Sequence, residues 1–167
     1  MGDAQLKQWF QAVDQDRSNA IDAGELQKAL ALGNLHFSLA VCAHIIRIHD
    51  KDNSGTIDFK EFRTLHQFLT DTQNKFFQAD KERRGKLIKA EVSECLKKQG
   101  YTLDIPAFEA MFRAYNPERN GQMDLTCFIA MMIFLQSANA TFAAFSQGGN
   151  RISLDYNQFL YATANVV

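Results

Sequence analysis

At 167 residues, with 46% apolar and 22% charged side chains and only two prolines, the chain has the composition of a packed helical protein rather than a disordered one. A net charge of −1 argues against general nucleic-acid binding, and three cysteines, an odd number on apolar stretches, read as reduced core thiols. No signal-peptide core stands at the N-terminus and no apolar run reaches the ~18 residues of a membrane span, so the expectation is a cytoplasmic protein.

Met1-Gly2 fails the myristoylation pattern, because Leu6 occupies the Ser/Thr position. Leu6, Trp9, Phe10 and Val13 recur with helical spacing and lead into a loop, residues 14–25. Asp14, Asp16, Ser18, Asp22 and Glu25 take positions 1, 3, 5, 9 and 12 of a twelve-residue calcium loop, with Ala20 offering its carbonyl from position 7. Asn19 stands where such loops have Gly, and Asn tolerates the left-handed backbone at a cost of about 1 kcal/mol. Gly33-Asn34 ends the exiting helix, and Ser38 caps the next one, which carries Leu39, Cys42, Ile45 and Ile46.

The second loop, residues 50–61, fits at every informative position. Asp50, Asp52, Ser54, Asp58 and Glu61 supply side-chain oxygens, Thr56 a carbonyl, and Gly55 the sharp turn. The spacing follows from the ion: a hard cation of calcium's size takes six to eight oxygens, and an odd-numbered series round a glycine turn points them inward. Two calcium ions per chain are expected, with Mg2+ as a competitor. The helix after Gly55 carries Phe59, Phe62, Leu65, Phe68 and Leu69 and meets no Gly or Pro before Gly85, so it runs on through Phe76 into the next unit.

Similar helix-loop-helix patterns start at 80, 116 and 146, offset by 30, 36 and 30 after the first interval of 36. Each of the five units has an apolar residue at the position-8 place, Ile21, Ile57, Leu87, Met123 and Ile152, although the fifth is one residue short before Ile152. The third loop has Arg84 at position 5 and Ile88 at position 9, and the guanidinium is expected to pair with Asp80 or Glu91 in the ion's place. The fourth ends in Cys127 instead of Glu, and the fifth, residues 146–150, contains no carboxylate. Metal is not expected in these three. Residues 75–98 carry eight basic and four acidic side chains, read as a solvated helix face before a patch for anionic lipid or an acidic partner. Met111, Met123, Met131 and Met132 read as core filling before a peptide groove.

Five such units in tandem, with a strong first pair and an abnormal last one, resemble the penta-EF-hand family over about residues 3–167. The family's usual strong loops are the first and third; here they are the first and second. A Gly/Pro-rich N-terminal tail is common in the family, and this sequence shows none ahead of Asp3. The resemblance implies an all-α fold of five EF-hands joined by short β-bridges, one domain over residues 1–167 with hands at about 4–33, 38–70, 70–99, 104–137 and 136–165. Loops pair in twos, so the fifth leaves Ile152 unmatched beside Phe142, Phe145, Tyr156, Phe159 and Leu160. A homodimer or heterodimer through the fifth hand covers that stripe, as the resemblance also implies; the alternative folds it back onto the chain's own helices.

The leading functional reading is a calcium sensor and adaptor that changes an apolar surface to engage target proteins, peptides or membranes, cytoplasmic but peripheral to membranes when calcium is bound. A calcium buffer, or the regulatory subunit of a calpain-like protease, are the alternatives. No nucleophile elbow, phosphate loop or zinc spacing appears, so no enzyme is expected.

Overall fold

A computed structural model of the chain describes residues 2–146 and 148–166. Met1 of the N-terminal motif, Gln147 of the fifth loop and Val167 at the end of the expected domain lie outside the described residues. The structure is helical with one small sheet: α1 (Asp3–Val13), α2 (Ala23–Leu32), α3 (Leu39–His49), α4 (Phe59–Ala79), β1 (Lys86–Ile88), α5 (Lys89–Lys98), α6 (Ile105–Ala114), β2 (Gln122–Asp124), α7 (Leu125–Ser146) and α8 (Tyr156–Val166).

Local chemistry sets most helix ends. Ser38 Oγ accepts Val41 N at the start of α3, and Asp104 Oδ1 accepts Ala107 N at the start of α6. Asp22 and Asp58 cap α2 and α4 in reciprocal boxes with Glu25 and Glu61. At the end of α2 the left-handed residue is Asn34 (φ 60), not Gly33 (φ −84), and Leu35 N then returns to Leu30 O at 3.0 Å. The glycine only closes the last turn; the asparagine takes the strained position, which its short polar side chain tolerates.

The loops meet in pairs. Ile21 and Ile57, both fully buried, exchange hydrogen bonds of 2.9 and 3.0 Å in an isolated bridge. β1 and β2 form an antiparallel ladder with Leu87 opposite Met123. Two apolar clusters follow. The first gathers Phe10, Ile21, Leu26, Ile45, Ile57 and Leu65; the second gathers Phe76, Leu87, Leu96, Phe112, Met123 and Phe128. α7 joins them, giving Ile129 and Ile133 to the first and Phe128, Met131, Met132 and Leu135 to the second. Three of the four singled-out methionines are thus core residues, and Met111 packs on the same cluster.

α7 corrects the expectation about membrane spans: it has 22 residues, with an 18-residue stretch of mean hydropathy 1.6, and is long and apolar enough to cross one. Uninterrupted apolar runs miss it, because Gln136, Ser137 and Asn139 break the run without breaking the helix. Its apolarity serves the two clusters, and α3, α4 and α8 pack against it. Among those contacts Ser137 Oγ donates to Asn165 O at 2.7 Å, tying α8 down.

Candidate metal centre

Loop one starts where α1 ends. Asp14 Oδ1 accepts Ser18 N at 2.9 Å and Oδ2 accepts Asn19 N at 3.0 Å, which folds the loop around the carboxylate. Asn19 takes φ 64, the left-handed turn expected of it, and Gly55 takes φ 81 at the same position of loop two. There Asp50 accepts Ser54 N at 3.1 Å and Gly55 N at 2.8 Å. The position-12 glutamates reach back across their loops. Glu25 accepts Gln15 N at 2.8 Å and Asp22 N at 3.1 Å; Glu61 accepts Lys51 N at 2.7 Å and Asp58 N at 3.0 Å.

The result is two carboxylate groups: Asp14, Asp16 and Glu25, and Asp50, Asp52 and Glu61, each with ligand oxygens within 4.8 Å of one another. Three negative charges that close repel, and a divalent cation among them removes the repulsion, so the donor set suits calcium. Hydrogen bonds favour the ionised form of one acid in each group, exposed Asp16 and half-buried Asp50. The Ser18 side chain and backbone hold Asp16 below the ordinary carboxylate value, and the Gly55 amide, followed by that of Ser54, does so for Asp50. Neither loop forms from the acids alone; each is a web of backbone donors that pre-positions oxygen.

The remaining predicted ligands are placed less uniformly. Ser18 Oγ donates to Ala20 O at 3.0 Å, and Ser54 Oγ donates to Thr56 O at 3.3 Å, so positions 5 and 7 face each other in both loops. Asp22 and Asp58 stand outside the carboxylate groups. Each turns Oδ1 onto a helix amide, of Glu25 and Glu61 respectively, at 2.8 Å. The helix N-terminus attracts a carboxylate on its own account, and position 9 often reaches calcium through water.

In loop three the guanidinium of Arg84 pairs with Glu91 at 2.7 Å, as expected, and with Glu82 at 2.6 Å rather than with Asp80. Asp80 is already engaged by two amides, Arg84 N and Gly85 N. Several other cations of the basic stretch are paired too: Lys81 and Lys98 with Glu94, Lys86 with Glu118, and Lys89 with Glu109. In loop four, Cys127 N donates to Asp124 Oδ1, while burial raises the Cys127 thiol to about 11, leaving it a protonated, poor ligand. The predicted fifth-hand stripe is open in the single chain: Ile152 is 40%, Phe159 54% and Tyr156 74% exposed, with Phe142 and Leu160 also exposed and Phe145 half-buried.

His49, the last residue of α3, packs at the end of its helix as the sequence implies, whereas a cavity between α1, α2 and α4 has no signal in the residue pattern. His49 packs on Phe68 and is buried; burial, then the charge of Lys51, pushes its imidazole down to about 4, so it is neutral at pH 7. A cavity of about 510 Å3 opens between α1, α2 and α4, lined by Trp9, Leu26, Leu30, Phe62, Leu65 and Leu69. Trp9 shares the helical spacing of Leu6, Phe10 and Val13, yet it is 44% exposed and stands at this cavity with its ring edge-on to His66.

Residues 3–66, the first two hands, match the family described as an EF-hand domain pair. Peflin of Mus musculus is 33% identical over 168 residues, covering 98% of this chain and 60% of peflin. Human sorcin is 30% identical over 139 residues, covering 80% of this chain and 69% of sorcin. A solved structure of a homolog of programmed cell death 6 protein from Leishmania major Friedlin matches with a TM-score of 0.72 at 29% identity, over 97% of this chain and 94% of that one. The chain spans about three fifths of the length of the peflins it matches.

Proposed function

Since this chain belongs to the penta-EF-hand family of calcium-binding proteins, we propose that it is a calcium sensor and adaptor whose apolar cavity between α1, α2 and α4 responds to the ion in loop one. The observation that carries this is Glu25. It is the position-12 carboxylate of loop one, and with Gln15, whose amide it accepts, it also lines the cavity beside Leu26. An ion that draws in both oxygens of Glu25 pulls on the start of α2, and α2 forms one wall. The cavity is large enough for the side chains of a peptide's apolar face. Asp14, Asp16 and Glu25, with Asp50, Asp52 and Glu61, would hold two ions, which supply charge neutralisation and a rigid oxygen shell.

Trp9, the only tryptophan, reads this directly. Calcium added to the chelated protein is expected to shift its emission, and in Glu25→Gln that shift should vanish although the second loop still fills. Emission that stays fixed while calorimetry counts two bound ions would make the protein a buffer.

The fifth hand supports a second part of the reading, a dimer built from two such hands. Among the described residues Ile152 has no bridge partner, unlike the four other position-8 residues, and its apolar neighbours are exposed. Sedimentation should show a dimer that Ile152→Asp with Phe159→Asp converts to a monomer; an unsubstituted chain that sediments as a monomer at high concentration removes this part alone. The three free cysteines are consistent with a reducing compartment such as the cytoplasm.

A further inference from the structure

Loops one, two and three each keep carboxylates at positions 1, 3 and 12, yet only the first two bring them together within 4.8 Å. In loop three Asp80 does its usual work, accepting Gly85 N at 2.7 Å and Arg84 N at 2.9 Å. The position-12 carboxylate is what differs. In the first two loops its Oε1 accepts the amide of position 2. In loop three that amide, Lys81 N, donates to Ala79 O, while Glu91 Oε2 accepts Ile88 N at 3.0 Å and Arg84 Nη2 at 2.7 Å. Arg84 Nη1 holds Glu82 Oε2 at 2.6 Å.

We propose that the Arg84 guanidinium is the resident cation of the third hand, bridging the position-3 and position-12 carboxylates so that the third and fourth hands stay assembled without calcium. A planar fork binds two carboxylates at once, which a point charge does less well. The Glu91 contact is sheltered, with Arg84 28% and Glu91 12% exposed at the side chain, so salt screens it less than a surface pair. The pairing of the loops fits the same division. Hands three and four share a regular ladder of three residue pairs, while hands one and two, which carry the convergent acids, share one isolated bridge. Calcium responsiveness is thereby confined to the first pair, and the second pair is a standing platform.

Hydrogen exchange in chelator tests the clamp without involving calcium, so the result is independent of the sensor reading. Arg84→Ser, which installs the residue found at position 5 of the first two loops, should speed exchange across residues 80–91 by at least about tenfold, with α1 and α2 unchanged as the control for folding. Arg84→Lys, able to hold one carboxylate, should fall between. A second arm restores oxygens at positions 5 and 9 through Arg84→Ser with Ile88→Asp. Ile88 is 37% exposed and provides no cap, so Asp is tolerated there. That variant should bind one calcium ion more than the unsubstituted chain in parallel calorimetry. Unchanged exchange in Arg84→Ser, full protection by Lys, or no additional ion in the double variant would each overturn the proposal.

Discussion

Glu61→Gln is expected to take up one calcium ion per chain in a calorimetric titration where the unsubstituted protein takes up two. The side chain is 5% exposed, and its two oxygens accept Lys51 N at 2.7 Å and Asp58 N at 3.0 Å. Gln has the same shape but exchanges one oxygen for an NH2 group, which turns a donor toward either a backbone amide or the ion. The bidentate closure of the shell is lost in both orientations. A second consequence appears in chelator. Leaving a buried amide facing another donor costs about 1–3 kcal/mol, so the variant should also melt earlier without calcium. Asp58 would still cap α4 through Glu61's own backbone amide, which the substitution leaves in place. Two ions still bound by the Gln variant would show that Glu61 does not close the second site.

Phe128→Ala is expected to destabilise the chain by about 3–5 kcal/mol, the cost of removing a buried ring and leaving its cavity. Phe128 is fully buried on α7, 5.6 Å ring to ring from the equally buried Phe76 on α4. These two helices carry the junction between the halves, since Phe68 of α4 and Leu125 of α7 pack against both clusters. In a chain of this length such a loss lowers the melting temperature by on the order of 10 °C. Phe77→Ala provides the contrast. It removes the same ring one residue from Phe76, but Phe77 is 54% exposed, so its effect should be a small fraction of the other. Equal shifts for the two variants would mean that α4 and α7 do not hold the halves together.

Loop chemistry was legible in the residues because every constraint in it is local. Asp14, Ser18, Asn19 and Glu25 lie within one twelve-residue turn, and their hydrogen bonds span at most ten positions. The pairing of Ile21 with Ile57 and of Leu87 with Met123 followed from the period of the hands. The roles of Asp22 and Asp58 were harder to see. A carboxylate at position 9 serves either a metal shell or a helix N-terminus, and spacing alone does not separate the two. Arg84 raised the same difficulty in reverse: its competition for the cage was visible, but Asp80 and Glu91 were equal candidates until the amides of Arg84 and Gly85 claimed Asp80.

By itself, the order of residues determined the five repeats, the two acidic loops and the anomalies of the other three, because each depends on side chains a few bonds apart along one backbone turn. The tertiary structure alone decided that α7 belongs to both cores, that Trp9 stands at a cavity rather than inside a core, and that Glu25 faces that cavity as well as its loop. Those outcomes depend on which distant helices meet, and burial is a property of the neighbours rather than of the residue.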